Sequence, residues 1–577
     1  MPAHGPSIVP GRPPGGRKAA AGDRQACHVC ARHLEVPQGN TFRIDKLTAV
    51  TTGRDPAYAG LSGQEAKARA EEDGCALLRE ALGLGYDALF AESRDAWAAL
   101  WDRYDILVDS DRSEDQLLIR FALYHLNIMC SRLDSRMGIG AKGLSGEGYK
   151  GHSFWDTEIF ILPYFILTQP EAARKLVEYR YLGLQAARKK AEERGYRGAM
   201  YPWEAAWADD GETTPVLGAA DIVTGEPIPI LTGLLEQHIT ADVAFGLWLY
   251  YTATGDRDLM DRYGWEMLLE TARFWASRAE WKEAAQRYEI CDVIGPDEYK
   301  DHVDNNAYTN YMAAFNMRLG LRTMDLLDSE GGPAAGRLRA QFDFPALREE
   351  LRRVLDRLYL PCPNEDGIIP QFDGYFDLKH IDLAPYRNAG SVGSIYNDYN
   401  QEQICTFQVH KQADTVVLLM LMEDLFPDEI RKTNYDFYEA RTLHDSSLSK
   451  STHCVLAADL GESETAYRFF EGCGEVDFGP NMRTSDAGIH TASMGGIWQC
   501  AVYGFGGVRV SGEALHMAPK LPPAWRSLSF PLVWHGQPLR VSVDGGTVTV
   551  RNAGTQDVRI TVKGTVVQVH AGETAVL

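Results

Sequence analysis

Residues 239–279 read ITADVAFGLWLYYTATGDRDLMDRYGWEMLLETARFWASRA. Apolar side chains recur every three or four positions over 239–254, pause at Thr-Gly-Asp-Arg, and resume over 258–279, a period that belongs to helices rather than strands. The segment therefore reads as two helices joined by a turn. Working outward, the same period returns at 116–133, 170–194, 307–327, 345–358, 408–425, 427–440, 463–470 and 491–504. Helices in this series, often paired and separated by long loops bearing Gly and Pro, predict a mainly α toroid of helical hairpins over 113–505. Such a barrel packs inner helices around an axis and carries function on the loops at one end. No fixed-period repeat is present, so a solenoid is not expected.

Beyond Gly506 the period changes to two. LSFPLVWHGQPLRVSVDGGTVTVRNAGTQDVRITVKGTVVQVHAGETAVL (528–577) has short β-branched runs punctuated by DGG, NAG and AGE, which predicts a small C-terminal antiparallel β domain over 506–577. Upstream, residues 62–104 are Ala- and Leu-rich with helical spacing, and 56–112 reads as a helical linker. TFRIDKLTAVTT (41–52) alternates as a strand does before Gly-Arg-Asp-Pro stops it, so 41–55 reads as a lone strand. Residues 1–40, rich in Pro, Gly and Arg, read as a disordered tail. Within that tail Cys27, Cys30 and His33 form C-x2-C-x2-H. No second ligand pair follows at a finger-like spacing, so two free thiols are preferred and no metal is expected.

Charge narrows the partners. The 58 basic and 80 acidic side chains leave −22, a field that repels nucleic acid and anionic membrane alike. A small-molecule substrate is the better expectation, with no nucleic acid and no membrane. The apolar stretch 159–167 is too short for a bilayer and carries a proline, and no apolar run follows the basic N-terminus as in a secretory signal. Ten cysteines scattered through 577 residues fit a reducing, cytoplasmic setting.

Chemistry concentrates in five tracts. GEGYKGHSFWDTE (146–158) gathers three glycines, a His, three aromatics and three carboxylates before a helix. Asp156 reads either as an N-cap over a buried Trp155 or, with the Trp155 ring, as a pair suited to sugar hydroxyls. CDVIGPDEYKDHVDNNAYTNY (291–311) sets Glu298 on a Gly-Pro turn. A Glu held beside aromatics can keep its proton and serve as the acid of glycosidic cleavage, although a loop Glu is more often simply solvated. HKQADTV (410–416) places Lys411 and Gln412 at a helix start. LHDSSLSKSTH (443–453) brings hydroxyls and a helix N-terminus together as an anion cradle, against the plainer reading of a solvated turn. TSDAGIHTASMGG (484–496) adds His490. Neither a P-loop nor a strand-borne G-x-G-x-x-G is present, so nucleotide cofactors are not supported; H-E-x-x-H and G-x-S-x-G are missing too.

In this order, and together with YPWE (201–204) and EQHITAD (236–242), the tracts resemble glycoside hydrolase family 65. These are inverting disaccharide phosphorylases acting on maltose, trehalose, kojibiose or nigerose, with hydrolase relatives. The resemblance covers roughly 41–577 and implies an (α/α)6 barrel, in agreement with the helix series. It implies Glu298 as general acid and Trp155, Asp156, Lys411 and Gln412 around the transferred glucosyl unit. Ser446, Ser447 and His490 would sit around phosphate. Tyr201, Trp203, Glu204 and the loop 209–235 would approach the acceptor sugar. No cofactor is implied beyond inorganic phosphate as co-substrate, and a homodimer is an assembly the family allows. The family's N-terminal β-sandwich is represented here only by the 41–52 strand, which suggests a truncated chain or a misplaced start. Lys450 stands after SSLS where Pro is commoner, adding a cation near the expected anion site.

An inverting hydrolase needs a second carboxylate to activate water, whereas phosphate is already anionic and nucleophilic once positioned. The 443–453 tract offers hydroxyls and only Asp445 as a carboxylate, with Asp486 as rival base, so phosphorolysis to β-glucose 1-phosphate is favoured. The alternatives are an inverting α-glucosidase or trehalase-like hydrolase, and a non-catalytic carbohydrate-binding or decayed, truncated protein.

Overall fold

The computed structural model describes residues 37–207, 209–387, 391–479, 482 and 485–577. They fall into two units, one ending at Asp95 and the other spanning Ala96–Leu577. In the first, Ser62 starts helix α1 (Gly63–Leu84) reciprocally: its hydroxyl accepts from the Glu65 amide while the Glu65 carboxylate accepts from the Ser62 amide. Two N–H groups that a helix start leaves free are thereby satisfied. Tyr58, Ala66 and Ala70 form its small apolar cluster, and Gly85 separates α1 from α2 (Tyr86–Tyr104). Residues 41–52 form no strand. An alternating pattern supplies a face, but a strand also needs a neighbour's N–H and C=O groups, and none among the described residues pairs with it. Cys27, Cys30 and His33 lie outside the described residues.

The second unit is built on twelve helices: α3 (Ser113–Met129), α4 (Leu162–Thr168), α5 (Pro170–Leu182), α6 (Ile239–Thr254), α7 (Trp265–Arg278), α8 (Ala307–Glu330), α9 (Phe344–Leu355), α10 (Thr415–Leu421), α11 (Asp428–Glu439), α12 (Ser449–Asp459), α13 (Ser463–Phe478) and α14 (Thr491–Gln499). Their sequences alternate between two kinds. All of LPYFILT in α4 is buried, whereas α9 buries the stripe Phe344, Leu347, Leu351 and Val354. A helix apolar on every side must be surrounded, and a striped one lies outside. Accordingly α4 packs on α6, α6 on α8, α8 on α10, α10 on α12, α12 on α14, and α14 back on α4, which closes a ring. Outside it, α5 spans α4 and α6, α7 spans α6 and α8, α9 covers α8, α11 spans α10 and α12, α13 spans α12 and α14, and α3 covers α14. This is an (α/α)6 barrel.

Because chain order alternates outer and inner, a loop leads into every inner helix. Hydrogen bonds join these loops to one another. Ser153 and Ala205 exchange backbone bonds of 2.8 and 2.9 Å, Ile294 donates to Leu235, Leu443 donates to His410, and Thr491 donates to Ala141. The N-terminal ends of the inner helices therefore share one rim, and the described residues of the five chemistry-bearing tracts lie on the loops that form it.

The sheets comprise β1 (Leu107–Ser110), β2 (Val508–Ser511), β3 (Ala514–Met517), β4 (Trp525–Trp534), β5 (Gln537–Asp544), β6 (Thr547–Asn552), β7 (Val558–Val562), β8 (Thr565–Val569) and β9 (Thr574–Val576). These nine strands form two sheets, one running β1-β4-β5-β6-β9 and the other β8-β7-β3-β2, while two further two-stranded sheets, Leu217–Ala220 with Pro227–Pro229 and Glu280–Lys282 with Arg287–Glu289, lie in barrel loops. Gly545 and Gly546, at φ 53° and 84°, close the β5–β6 hairpin, a turn that needs two left-handed residues in succession. Two expectations change. The segment assigned to a helical linker ends in β1, a strand of the C-terminal sheet, because its edge pairs with β4. The β domain is not wholly antiparallel either, since β7 runs parallel to β3. Helix bounds also shift. The 170–194 helix breaks at Gly183, and the helix expected from 408 starts only at Thr415, because 408–414 folds as rim loop.

Asp115 joins barrel to sheet. Buried at 1% exposure, it accepts from Ser110 Oγ at 2.6 Å, from the Tyr467 hydroxyl at 3.0 Å and from Trp525 Nε1 at 2.7 Å. Removing an acceptor shared by three donors leaves those donors desolvated. Asp115→Ala is therefore expected to cost about 3 kcal/mol, seen as a lower melting temperature by calorimetry. A loss under about 1 kcal/mol would mean that water takes the carboxylate's place.

Candidate active site

The rim is welded by buried polar groups before any substrate residue is placed. Asp297, fully buried, accepts from the Lys411 amide at 2.8 Å and pairs with His410 Nδ1 at 3.0 Å. Burial alone would push its carboxyl up, but the His410 hydrogen bond and charge hold it below the usual range. Asp414 accepts from Asn306 Nδ2 at 3.0 Å and Gln371 Nε2 at 3.2 Å, and burial beside Asp297 pushes it up to about 7. Gly295 is required at this crossing, since a Cβ there would lie 2.3 Å from Asn306 Nδ2 and 2.5 Å from Asp414 Oδ2. The hydroxyl of Tyr299 donates to Asp445 at 2.6 Å, and the Asp445 amide donates to Lys411 O at 2.9 Å. The 291–311, 410–416 and 443–453 tracts are thus one unit.

Glu298 and Lys411, the residues following Asp297 and His410, stand out of that buried weld as half-buried side chains. Lys411 Nζ donates to Glu298 Oε1 at 2.8 Å, and the Glu298 charge raises the Lys411 ammonium although burial opposes it. Asp156, with no capping hydrogen bond, is pushed up to about 7, mainly by burial and further by the charges of Glu158 and Glu298. The N-cap reading is therefore not what the structure places there. The charges of Glu298, Lys411, Asp156 and Glu204 all act on the Tyr149 hydroxyl, whose upward shift starts from burial. Tyr149 is 54% exposed, sits at φ 50° and stands edge-on to Phe154. Asp156, Glu204, Glu298 and Lys411 thus all act electrostatically on one aromatic side chain, which the sequence motifs do not single out.

Other expected residues lie behind this centre. Trp155 is 1% exposed, with its ring edge-on to His238 at 4.9 Å, and has no open face. Tyr201 is equally buried, its hydroxyl donating to Arg180 O at 3.0 Å. Trp203 is buried between Phe154 and His238. Gln412 is buried, its amide donating to Pro296 O. Glu204 is buried but polar, 2.6 Å from His152 Nδ1. Its loop is gathered by Glu212, which accepts from the Trp203 amide at 2.8 Å, the Glu204 amide at 3.1 Å and the Lys190 ammonium.

Two buried residues were missed besides Tyr149. Glu236, in EQHITAD, is 1% exposed with no hydrogen-bond partner on either carboxyl oxygen, and burial followed by the charge of Glu298 pushes it well above the carboxylate range. Its neighbour His238 lies 3.6 Å away. Burial would lower this imidazole, but Asp242 at 2.7 Å raises it to about 9. Lys142 is the second. Burial lowers its ammonium to about 8 against the pull of Asp477, and it hydrogen-bonds His490 Nε2. His490 Nδ1 faces Asp477 at 2.9 Å. Ser446 and Ser447 are half-buried just before α12, beside Asp445. The expected extra cation is elsewhere: Lys450 Nζ reaches outward to Gly472 O, because its place in the first turn of α12 turns it toward α13.

Comparison with known proteins follows the same division. The central catalytic domain of glycosyl hydrolase family 65 matches residues 120–499, and the C-terminal domain of that family matches 508–569. The chain is 46% identical over 552 residues to kojibiose phosphorylase of Halothermothrix orenii, covering 94% of this chain and 70% of that one. Against kojibiose phosphorylase of Escherichia coli it is 38% identical over 550 residues, 94% and 69% of the two chains. Against α,α-trehalose phosphorylase of Thermoanaerobacter brockii it is 34% identical over 521 residues, 88% and 62%. A solved structure from the human microbiome, ascribed to a kojibiose phosphorylase, superposes with TM-score 0.78 at 25% identity, over 90% of this chain and 69% of that one. The chain therefore spans about two thirds of the length of the curated relatives it matches. With its barrel and its C-terminal sheet both accounted for, this chain belongs to glycosyl hydrolase family 65.

Proposed function

We infer that the protein is an inverting glycoside phosphorylase that splits an α-linked glucosyl disaccharide with phosphate into β-glucose 1-phosphate and a free sugar. The observation that carries this reading is the Glu298–Lys411 pair, half-buried at the meeting point of the rim loops. Glu298 would protonate the glycosidic oxygen. That bond to C1 breaks as a phosphate oxygen bonds C1 from the opposite face. Because Lys411 holds the Glu298 carboxylate at 2.8 Å, the pair must open and the carboxylate take up a proton from solvent before it can act as the acid, and substrate hydroxyls competing for the ammonium supply the reason. Asp156 and Glu204 would accept from sugar hydroxyls, and the exposed Tyr149 ring offers the apolar face first expected of Trp155. Trp155, Tyr201, Trp203 and Gln412 would then act by holding this wall in place.

Phosphorolysis is favoured over hydrolysis because neither candidate base suits water activation. The carboxylate of Asp445 is occupied by the Tyr299 hydroxyl, and Asp486 is exposed. Ser446, Ser447 and the start of α12 on one side, with His490 and Lys142 on another, are the groups proposed to hold the anion. Kojibiose, the α-1,2-linked glucobiose, is the proposed substrate, since identity to its phosphorylases (46% and 38%) exceeds the 34% to trehalose phosphorylase. All eight cysteines among the described residues are free thiols, and no described helix is long and apolar enough to cross a membrane, which supports a cytoplasmic setting.

Purified protein incubated with kojibiose is expected to release β-glucose 1-phosphate only when phosphate is present; glucose release without phosphate would identify a hydrolase instead. Glu298→Gln should lower kcat/KM for kojibiose by roughly 10²–10⁴-fold with an unchanged circular dichroism spectrum, and retained turnover would move the acid elsewhere.

Asp156 gives a second test. Its folded-state carboxyl titrates near 7, above the 3.8 of a free Asp, so between these values the folded chain holds a proton that the unfolded chain has lost. Stability from this group is then present at low pH and falls as pH rises through that window, by at most about 1.4 kcal/mol per pH unit. Asp156→Asn should flatten the fall in melting temperature between pH 5 and about 7. An unchanged slope would show that Asp156 is ionised throughout.

A further inference from the structure

Behind the Ser446–Ser447 loop, on the outer side of the barrel, three side chains meet that the reaction does not use. Glu439 ends α11, His444 lies in the loop that follows, and His453 is on α12. Glu439 Oε2 is 3.1 Å from His444 Nε2 and 3.5 Å from His453 Nε2, and the three atoms lie within 4.8 Å of one another. We propose that Glu439, His444 and His453 form a structural binding site for one divalent transition-metal cation of the zinc class. This departs from the sequence expectation of no metal and assigns the ion no part in the chemistry.

The spacing fits a tetrahedral ion. Bonds of about 2.0–2.2 Å place adjacent ligand atoms about 3.3 Å apart, between the two separations observed. The far sides of both rings are also held. His453 Nδ1 lies 3.0 Å from Ser449 O, a carbonyl that can only accept, so Nδ1 carries the proton and Nε2 turns its lone pair toward Glu439. His444 Nδ1 is 2.8 Å from Ser449 Oγ. One serine thus orients both imidazoles, as outer-shell partners do for metal-bound histidines. His453 is completely buried and its Nε2 has no hydrogen-bond partner. A stranded acceptor of this kind is costly without a ligand. His444 adopts φ 57°, a conformation that a non-glycine residue keeps only where its surroundings hold it.

Entry is open. Glu439 lines a cleft of about 630 Å³, where Asp436, Glu462, Glu471 and Glu475 outnumber Lys450 and Arg468. An ion there would tie the end of α11 to the first turns of α12, and so fix the intervening loop that carries Ser446 and Ser447.

The test uses the full chain carrying Cys27→Ser and Cys30→Ser, so that the N-terminal thiols cannot take metal, stripped with a chelator and titrated with Zn²⁺ by calorimetry and with Co²⁺ by absorption. One ion per chain is expected, with Co²⁺ ligand-field bands and no thiolate charge-transfer band, and with a melting temperature raised by Zn²⁺. Glu439→Gln and His444→Gln, each checked by circular dichroism, should weaken binding at least tenfold and abolish the thermal shift. Absence of a stoichiometric ion, or binding indifferent to both substitutions, would overturn the proposal and leave a hydrogen-bonded Glu–His cluster.

Discussion

The site depends on one buried contact, the carboxylate of Asp297 against His410 and the Lys411 amide. A carboxylate taken out of water is tolerated only where hydrogen bonds and a partner replace its hydration. Asp297 has both, so the two chain segments that supply them are fixed to each other. The next residue on each segment then points out of the weld, Glu298 from one and Lys411 from the other. An acid and a cation come within 2.8 Å although 112 residues separate them between 299 and 410. Loss of the Asp297 contact would cost the site its geometry before it cost the barrel its fold.

The barrel supplies what the weld needs, a rigid rim. Inner helices closed into a ring leave no free edge, and the alternation of outer and inner helices returns the chain to the same end each time. Long loops on such a rim would be too mobile to hold an acid within tenths of an ångström, were their polar groups not spent on one another. Ser153 with Ala205, Tyr299 with Asp445 and Leu443 with His410 are such uses. The helices set the distance between loops, and the loops set the positions of side chains.

That division explains what could be read from the sequence. Helix α6 was legible to its ends, because an apolar run bounded by Thr-Gly-Asp needs no tertiary information. The start of α10 was not, since 408–414 continues the apolar pattern while its polar groups are committed to Asp297 and Arg441 across the rim. β1 was hidden because four residues carry no pattern without their partner β4. Among candidate site residues, Glu298 and Lys411 stand out by motif, but Trp155 and Tyr201 cannot be told from core, since buried and stacking aromatics have the same composition. Tyr149 was overlooked beside them; only its left-handed backbone turns it outward. Glu236 and Lys142 were silent because what makes them unusual, burial without ordinary solvation, is a property of the fold.

The net charge of −22 sharpens the same point. A phosphate approaching this chain works against the overall field, so any attraction must be local and short-ranged, as screening within about 8–10 Å at physiological salt requires. The local groups available for this are helix ends and two lysines. The inner-helix N-termini share the rim, each worth a fraction of a charge within its first turn, and the buried Lys142 and the half-buried Lys411 are cations on the same loops. Lys411 is committed to Glu298, while the Lys142 ammonium, brought down to about 8 by burial, is poised near neutrality. An anion beside His490 would stabilise the charged form of Lys142, so phosphate and the Lys142 proton favour one another. An acidic protein can in this way hold an anion without a basic surface.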